Sequence, residues 1–269
     1  MKLCAIQLFI FSISIITFLQ IKNTLFLKEN VVLYIEKIYR GKIMERTKLR
    51  DRKLPDYTRG EEIFNMVSHI VGGAFGIVAL VTCVVKAFLN GDPYQVVSAF
   101  IYGFSMIALY TMSSVYHGLK PEMPKKVMQV IDHCTVFILI AGTYTPCALC
   151  ALRRESTALG WTIFGIVWGV SALGITLNAI DLKKYNVFSI ICYLALGWCI
   201  VFTGKSAINA IGFPGFWWLL AGGIAYTVGA VLYGIAGRSV HRYMHSVFHI
   251  FVVLGSILQY FCILFYILV

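Results

Sequence analysis

Residues 63–89 of this chain read IFNMVSHIVGGAFGIVALVTCVVKAFL, a stretch in which apolar side chains far outnumber all others. An α-helix crosses the hydrocarbon core of a bilayer with about 20 predominantly apolar residues, so this stretch is long enough to span it. Similar runs follow at Val96–Leu119, Val127–Ala151, Thr157–Ile180, Val187–Thr203, Phe216–Ala236 and Met244–Val269. Together they predict an all-α, polytopic membrane protein with a bundle of seven transmembrane helices.

The composition of the whole chain agrees with a membrane protein. Hydrophobic residues make up 59% and charged residues 13% of the sequence, whereas about a quarter of the residues in a soluble domain are charged. A net charge of +11 would also fit a nucleic-acid-binding protein, but the basic residues lie in short loops between the apolar runs. This distribution predicts membrane lipids, and not nucleic acid, as the partners of the chain.

The first 43 residues differ from the rest of the chain and have three interpretations. The segment Leu3–Leu19 is apolar and follows a single lysine, which is typical of a signal sequence or of an additional span. Alternatively, translation starts at Met44 and the upstream residues are an over-long gene prediction. Residues 44–62 form a basic lead-in that is expected in the cytoplasm, and residues 63–269 form the predicted membrane domain.

Lysine and arginine residues are divided unevenly between the two sides of the predicted bundle. The segment from Met44 to Gly60 carries six of them, the loops predicted on its side carry seven, and the opposite loops carry three. Because positive charge accumulates in cytoplasmic loops, the N-terminus of the bundle is expected in the cytoplasm and its C-terminus outside. We expect a multi-pass protein of the cell membrane, and the short basic loops are typical of a bacterial plasma membrane protein.

Polar and ionisable side chains within the spans concentrate at one predicted depth. Ser113 and His117 lie at the end of the second helix, whereas Asp132 lies early in the third, and His245 and His249 lie early in the seventh. Because successive helices alternate in direction, all five are expected near the cytoplasmic face. Polar groups are costly inside a membrane, so their concentration at one depth indicates a functional site.

Three of these residues are predicted to bind a metal ion. His245 and His249 are four residues apart, which places their Cβ atoms about 5–6 Å from each other on one helix face. His117 can supply a third nitrogen from the second helix. Three histidines that leave a fourth position for water are typical of a catalytic Zn²⁺ site, so the sequence predicts zinc bound by His117, His245 and His249.

The other two are candidate catalytic residues. Ser113 lies one turn from His117, so its hydroxyl can face the zinc site and hydrogen-bond a water molecule or a developing oxyanion. Asp132 can act as a general base or orient a ligand. Because zinc-bound water has a pKa of about 7, the expected reaction is hydrolysis of an amide or ester of a lipid substrate.

Structural interpretations stand beside these functional ones. Ser113 can instead bond back to its own helix, and Asp132 can pair with a lysine from a loop. Glu61 and Glu62 are expected as an acidic pair of the kind that the first turn of a helix favours. His69 is expected to be an interior histidine whose hydrogen bonds are satisfied.

The same residues carry a resemblance to a known family. The runs SSVYHGL (113–119), IDHCTVFILIAGTYTP (131–146) and HSVFHIFVVLGS (245–256) resemble motifs of three helices in the hemolysin III family. The run GEEIFNMVSHIVGG (60–73) is similar to the usual entry to the first helix of that family. The resemblance extends from about residue 44 to the C-terminus.

The hemolysin III family belongs with the progestin and adiponectin receptor (PAQR) family and is more distantly similar to the alkaline ceramidases. The resemblance implies a seven-helix fold and a zinc site at the cytoplasmic side, with His117, His245 and His249 as ligands and Ser113 and Asp132 beside the zinc-bound water. It leaves three functions open. They are hydrolysis of a lipid amide or ester, cytolysis by pore formation, and a receptor or membrane-homeostasis role in which zinc is structural.

Overall fold

The computed structural model describes residues 46–236 and 242–269, and all regular secondary structure in these ranges is helical. Six helices follow one another: α1 (Arg59–Asn90), α2 (Pro93–Gly118), α3 (Glu122–Pro146), α4 (Thr157–Trp198), α5 (Gly204–Ala236) and α6 (Met244–Cys262). The three interpretations of residues 1–43 concern a stretch that lies outside the described residues.

Shorter helical turns complete the described chain. They are 3₁₀ turns at Leu49–Asp51 and Cys199–Thr203, π-helical turns at Cys147–Leu152 and Ile263–Ile267, and a single α-helical turn at Arg153–Glu155. Pro146 is the last residue of α3 and directly precedes a π-helical turn. A proline has no N–H to donate and its ring crowds the preceding turn, which explains a change of helical pattern at this position.

Local sequence signals account for the turn between α1 and α2. Gly91 ends α1 with a φ of 72°, a left-handed conformation that glycine adopts without steric cost. The carboxylate of Asp92 then accepts a hydrogen bond from the Tyr94 N–H at 2.9 Å and caps α2. Pro93 occupies the first turn, where the missing N–H has no consequence. The two helices are therefore connected by a sharp turn.

Five helical stretches are long and apolar enough to cross a membrane: Arg59–Asn90, Pro93–Gly118, Glu122–Glu155, Thr157–Gly234 and Met244–Ile267. The predicted class, an all-α multi-pass membrane protein, is therefore confirmed. Four of the stretches coincide with the predicted first, second, third and seventh spans. The fourth, Thr157–Gly234, is 78 residues long and occupies the region of the predicted fourth, fifth and sixth spans.

This long stretch is interrupted at two residues. Asp181 (φ −157°, ψ 95°) and Gly212 (φ 68°, ψ 167°) both lie outside the helical region of backbone conformation. The Asp181 carboxylate accepts hydrogen bonds from the N–H groups of Lys183 and Lys184, each at 3.1 Å, and so caps the helical segment that follows it. The predicted spans left a loop at each of these two places. The structure instead has a break in the helix of about one residue at each.

Glycines allow close contact between neighbouring helices. A Cβ atom added to Gly222 of α5 would lie 2.7 Å from the side chain of Gln259 in α6. A Cβ atom added to Gly103 of α2 would lie 2.6 Å from the Cα of Leu80 in α1. Small residues at such positions let backbones approach and gain van der Waals contact, which is a main source of helix association in membranes.

We predict that Gly103→Leu destabilises the bundle, because the added side chain would collide with the backbone of α1. The expected cost is about 1–3 kcal/mol, measured as a lower apparent melting temperature of the detergent-purified protein. The matched control is Gly165→Leu, because a Cβ atom at Gly165 meets nothing within 4 Å. Equal melting temperatures for the two variants would contradict the close contact between α1 and α2.

Candidate metal centre

Three histidines converge at one end of the bundle. His117 lies in the last turn of α2, and His245 and His249 lie in the first two turns of α6. One ring nitrogen from each lies within 4.8 Å of the others, and the Nε2 atoms of His245 and His249 are 3.0 Å apart. The convergence predicted from the spacing of these residues is thus present, although more than 120 positions of the chain separate His117 from the other two.

The three residues fit a zinc ion in their chemistry and spacing. Zn–N bonds of 2.0–2.1 Å at tetrahedral angles place two ligand nitrogens about 3.4 Å apart. The ring nitrogens of His245 and His249 are 3.0 Å apart, and one nitrogen from each of the three histidines lies within 4.8 Å of the others. The Nε2 atom of His117 is buried and has no hydrogen-bond partner among the described residues. A buried nitrogen without a partner is costly, so this atom is available as a ligand.

Glu62 orients the imidazole ring of His117 through a hydrogen bond. Its Oε2 atom lies 2.6 Å from His117 Nδ1, and its Oε1 atom accepts a hydrogen bond from Lys125 at 2.8 Å. A carboxylate on one ring nitrogen fixes the tautomer of a histidine and directs the other nitrogen to a metal. The sequence interpretation of Glu62 as a helix N-terminal acid missed this role, because the partner lies 55 residues away.

Glu61 has a different function from its neighbour. It lies in the first turn of α1, as expected of the acidic pair, and forms a capping box with Thr58. Its Oε1 atom also accepts a hydrogen bond from the Tyr243 N–H at 2.8 Å. Tyr243 precedes α6 and has a φ of 62°, a conformation that costs a residue with a side chain about 1–2 kcal/mol. The bond to Glu61 stabilises this conformation and helps to place His245.

Both candidate catalytic residues face a cavity beside the histidines. The cavity has a volume of about 170 Å³, and Ser113, Asp132, His245 and His249 are among the residues that line it. A single water molecule needs roughly 10–15 Å³ on the same scale, so the cavity can hold a much larger molecule. The roles of Ser113 and Asp132 in catalysis stay predictions, but the structure places both side chains at the same cavity.

The structural alternatives for these two residues are not what the structure shows. The hydroxyl of Ser114, not that of Ser113, bonds back to its own helix, at 2.7 Å from the Tyr110 carbonyl oxygen. The Ser113 hydroxyl is buried and has no partner among the described residues. Within the same ranges, Asp132 forms no ion pair, and Lys125 pairs with Glu62. Neither structural alternative is therefore observed, and both side chains line the cavity.

The basic lead-in contributes an aromatic residue to the same site. The ring of Tyr57 stacks on His245 with 5.1 Å between centroids and 20° between planes, and lies 5.9 Å from the ring of His117. Burial raises the pKa of the Tyr57 phenol well above its usual range, so the hydroxyl stays protonated. The sequence identified this segment only by its positive charge and missed the contact.

We predict that Glu62→Gln weakens zinc binding, because an amide holds the imidazole tautomer less firmly than a carboxylate does. Changes to such partners typically reduce metal affinity 10–100-fold, which chelator competition on the detergent-purified protein would measure. Glu122→Gln is the control, since Glu122 pairs with Lys126 at an exposed position. Wild-type zinc affinity in Glu62→Gln would show that the hydrogen bond to His117 does not support metal binding.

The chain is similar to several characterised proteins over most of its length. Hemolysin-3 of Bacillus cereus is 36% identical over 208 residues, which are 77% of this chain and 92% of that protein. The Hemolysin-3 homolog of Bacillus subtilis (strain 168) is 35% identical over 210 residues, or 78% and 96% of the two chains. The Monocyte to macrophage differentiation factor of Homo sapiens is 26% identical over 182 residues, or 65% and 72%. No solved structure matches the chain.

A family model described as Haemolysin-III related matches residues 57–260. The match begins at Tyr57 and covers all five predicted site residues, from Ser113 to His249. The resemblance that the four sequence motifs indicate is thereby confirmed. The chain belongs to the haemolysin III family of membrane proteins.

Proposed function

We propose that this chain is a zinc-dependent membrane hydrolase that cleaves an amide or ester of a lipid. The observation that carries the proposal is the position of three histidine nitrogens, within 4.8 Å of one another, beside a cavity that is also lined by Ser113 and Asp132. His117, His245 and His249 would hold the ion. When bound, zinc supplies Lewis acidity and a nucleophilic hydroxide near neutral pH.

The shape of the cavity supports a substrate with a long apolar chain. Its wall follows α3 from Asp132 to the π-helical turn that begins at Cys147, and α6 from His245 to Gln259. At 1.5 Å per residue, each wall is about 20 Å long. This exceeds the hydrocarbon depth of one leaflet, which is half of about 30 Å. An acyl chain could therefore lie in the cavity with its carbonyl at the histidine end.

The side chains at the two ends of the cavity differ as such a substrate requires. Away from the histidines, the lining is largely apolar and includes the aliphatic residues Leu139, Ile140, Leu194 and Val252. These residues would bind hydrocarbon by excluding water from it. The polar groups Ser113 and Asp132 lie at the histidine end, where the amide or ester would be positioned.

Each polar side chain has a defined part in the proposed reaction. The Ser113 hydroxyl donates a hydrogen bond to the carbonyl oxygen, whose negative charge grows as water adds. Asp132 accepts a proton from the attacking water and passes it to the leaving amine or alcohol. Water adds across the acyl C–N or C–O bond, so the products are a fatty acid and the amine or alcohol.

We propose that the chain crosses a bacterial plasma membrane seven times, with the metal centre at the cytoplasmic side and membrane lipids as its partners. A straight helix of 78 residues would be about 117 Å long, roughly four times the hydrocarbon thickness. The breaks at Asp181 and Gly212 support three crossings in this stretch. The basic lead-in, which contacts the histidines through Tyr57, supports a cytoplasmic location for the site.

We predict that Ser113→Ala lowers kcat about 10²–10³-fold, the usual effect of removing one donor to a developing oxyanion. Zinc content should stay at the wild-type level. The detergent-purified protein would be incubated with lipids from a total membrane extract, and mass spectrometry would measure the turnover of each lipid. Ser114→Ala is the matched control, because the Ser114 hydroxyl bonds to the Tyr110 carbonyl oxygen of its own helix. Equal rates in both serine variants would remove Ser113 from the mechanism.

We also predict that His245→Ala abolishes both zinc binding and lipid turnover, because two histidines cannot hold the ion firmly. Metal analysis and the lipid assay would be made on the same preparation. Turnover that persists in a metal-free preparation would overturn the proposal. A different outcome is that the protein unfolds when zinc is lost and that the wild type turns over no lipid. This outcome would assign the metal a structural role in a receptor or membrane-homeostasis protein.

Membrane lysis is a second candidate function, favoured by the name of the Bacillus cereus relative, Hemolysin-3. Release of a fluorescent dye from liposomes that contain the purified protein would test it. If lysis is the function, His117→Ala should release dye as fast as the wild type. If hydrolysis is the function, the intact wild-type protein should release no more dye than protein-free liposomes do.

A further inference from the structure

His69 is a fourth histidine at the metal centre, and its side chain has no hydrogen-bond partner among the described residues. Its side chain lies in α1, is 3% exposed and lines the cavity. Both ring nitrogens are buried and unpaired among the described residues, so the satisfied interior histidine expected from the sequence is not present. A neutral imidazole carries one N–H donor and one acceptor, and leaving both unpaired in an apolar interior is costly.

The two aromatic neighbours of His69 cannot satisfy it. His249 stacks on one face, with 3.7 Å between ring centroids and 13° between planes. Tyr110 meets the ring edge-on, with 5.1 Å between centroids, and its hydroxyl donates to Ser256 at 2.6 Å. Neither ring nitrogen of His69 is hydrogen-bonded to Tyr110 or to any other described residue. The cavity is therefore the remaining source of a partner for the His69 nitrogens.

The stacking also excludes His69 as a fourth ligand to the ion held by His249. The lone pair of an imidazole nitrogen lies in the plane of its ring. Two nearly parallel rings stacked at 3.7 Å direct their lone pairs along separate planes. These lone pairs cannot meet at one ion at Zn–N distances of 2.0–2.1 Å. His69 thus keeps its hydrogen-bonding groups for another molecule.

We propose that His69 binds the substrate by donating its ring N–H to the carbonyl oxygen of an acyl group in the cavity. The assignment of a carbonyl rests on the proposed function, in which the cavity holds an acyl amide or ester. His69 and Ser113 line the same cavity from different helices, α1 and α2. Together they supply two donors for one oxygen, an arrangement that also favours the growth of charge on it.

Two probes of equal length separate this hydrogen bond from apolar packing. The ketone 2-heptadecanone has a carbonyl that cannot be hydrolysed, and heptadecane has none. Affinities of the zinc-loaded, full-length protein for both would be measured by displacement of a fluorescent long-chain fatty acid. His69→Phe keeps an aromatic ring against His249 but removes the donor. We expect it to weaken ketone binding about 2- to 10-fold, the usual range for one neutral hydrogen bond, and to leave heptadecane binding unchanged.

Two further variants complete the experiment. His69→Gln restores an N–H donor and should recover part of the preference for the ketone. Ser68→Ala changes the adjacent residue, whose hydroxyl bonds to the Asn65 carbonyl oxygen, and should behave as the wild type. If His69→Phe does not fold, the ratio of the two affinities in His69→Leu provides the same comparison.

Three results would overturn the assignment. An equal loss of affinity for both probes would make His69 a packing residue, and no loss for either would mean that water satisfies the ring. Loss of zinc from His69→Phe would limit its role to supporting His249. Failure of the hydrolase proposal is distinguishable from these results, because absent lipid turnover would leave the ratio of ketone to alkane affinity intact.

Discussion

The contact on which the site depends is the 2.6 Å hydrogen bond between Glu62 and His117. A carboxylate at the boundary of a membrane bundle is costly unless it is paired, and Glu62 is paired twice, with His117 and with Lys125. These three residues belong to α1, α2 and α3, so one carboxylate connects three helices at the end where the histidines lie. The bond occupies Nδ1 of His117 and leaves Nε2 directed towards the other histidines.

The adjacent carboxylate extends the same principle to the last helix. Consecutive residues on an α-helix point about 100° apart, so Glu61 and Glu62 leave the first turn of α1 in different directions. Glu61 accepts from the Tyr243 N–H, two residues before His245, while Glu62 holds His117. One acidic pair therefore helps to position ligand-bearing segments from both α2 and α6. This explains how residues so distant in the chain reach a common point.

Features set by local periodicity could be predicted from the sequence, and features set by distant contacts could not. Apolar runs gave α1, α2, α3 and α6, and the four-residue spacing gave the pairing of His245 with His249. The role of Glu62 was not predictable, because its partner His117 lies 55 positions away in the chain. The stacking of Tyr57 on His245 likewise joins residues that are almost 190 positions apart. At Asp181, composition indicated a loop, but a single capping carboxylate lets two helical segments follow each other directly.

The distribution of unpaired polar atoms separates the metal centre from the rest of the cavity wall. Farther along the wall, Tyr226 is hydrogen-bonded to Ser256 at 2.8 Å and Trp198 to Thr227 at 3.0 Å, and Gln259 Oε1 is a buried atom without a partner among the described residues. At the histidine end, the Ser113 hydroxyl, His117 Nε2 and both nitrogens of His69 are buried without partners among the described residues. Folded proteins leave few such atoms unpaired. Their concentration at one end therefore indicates that this end is built to bind polar ligands, while the remainder of the wall is built to contact hydrocarbon.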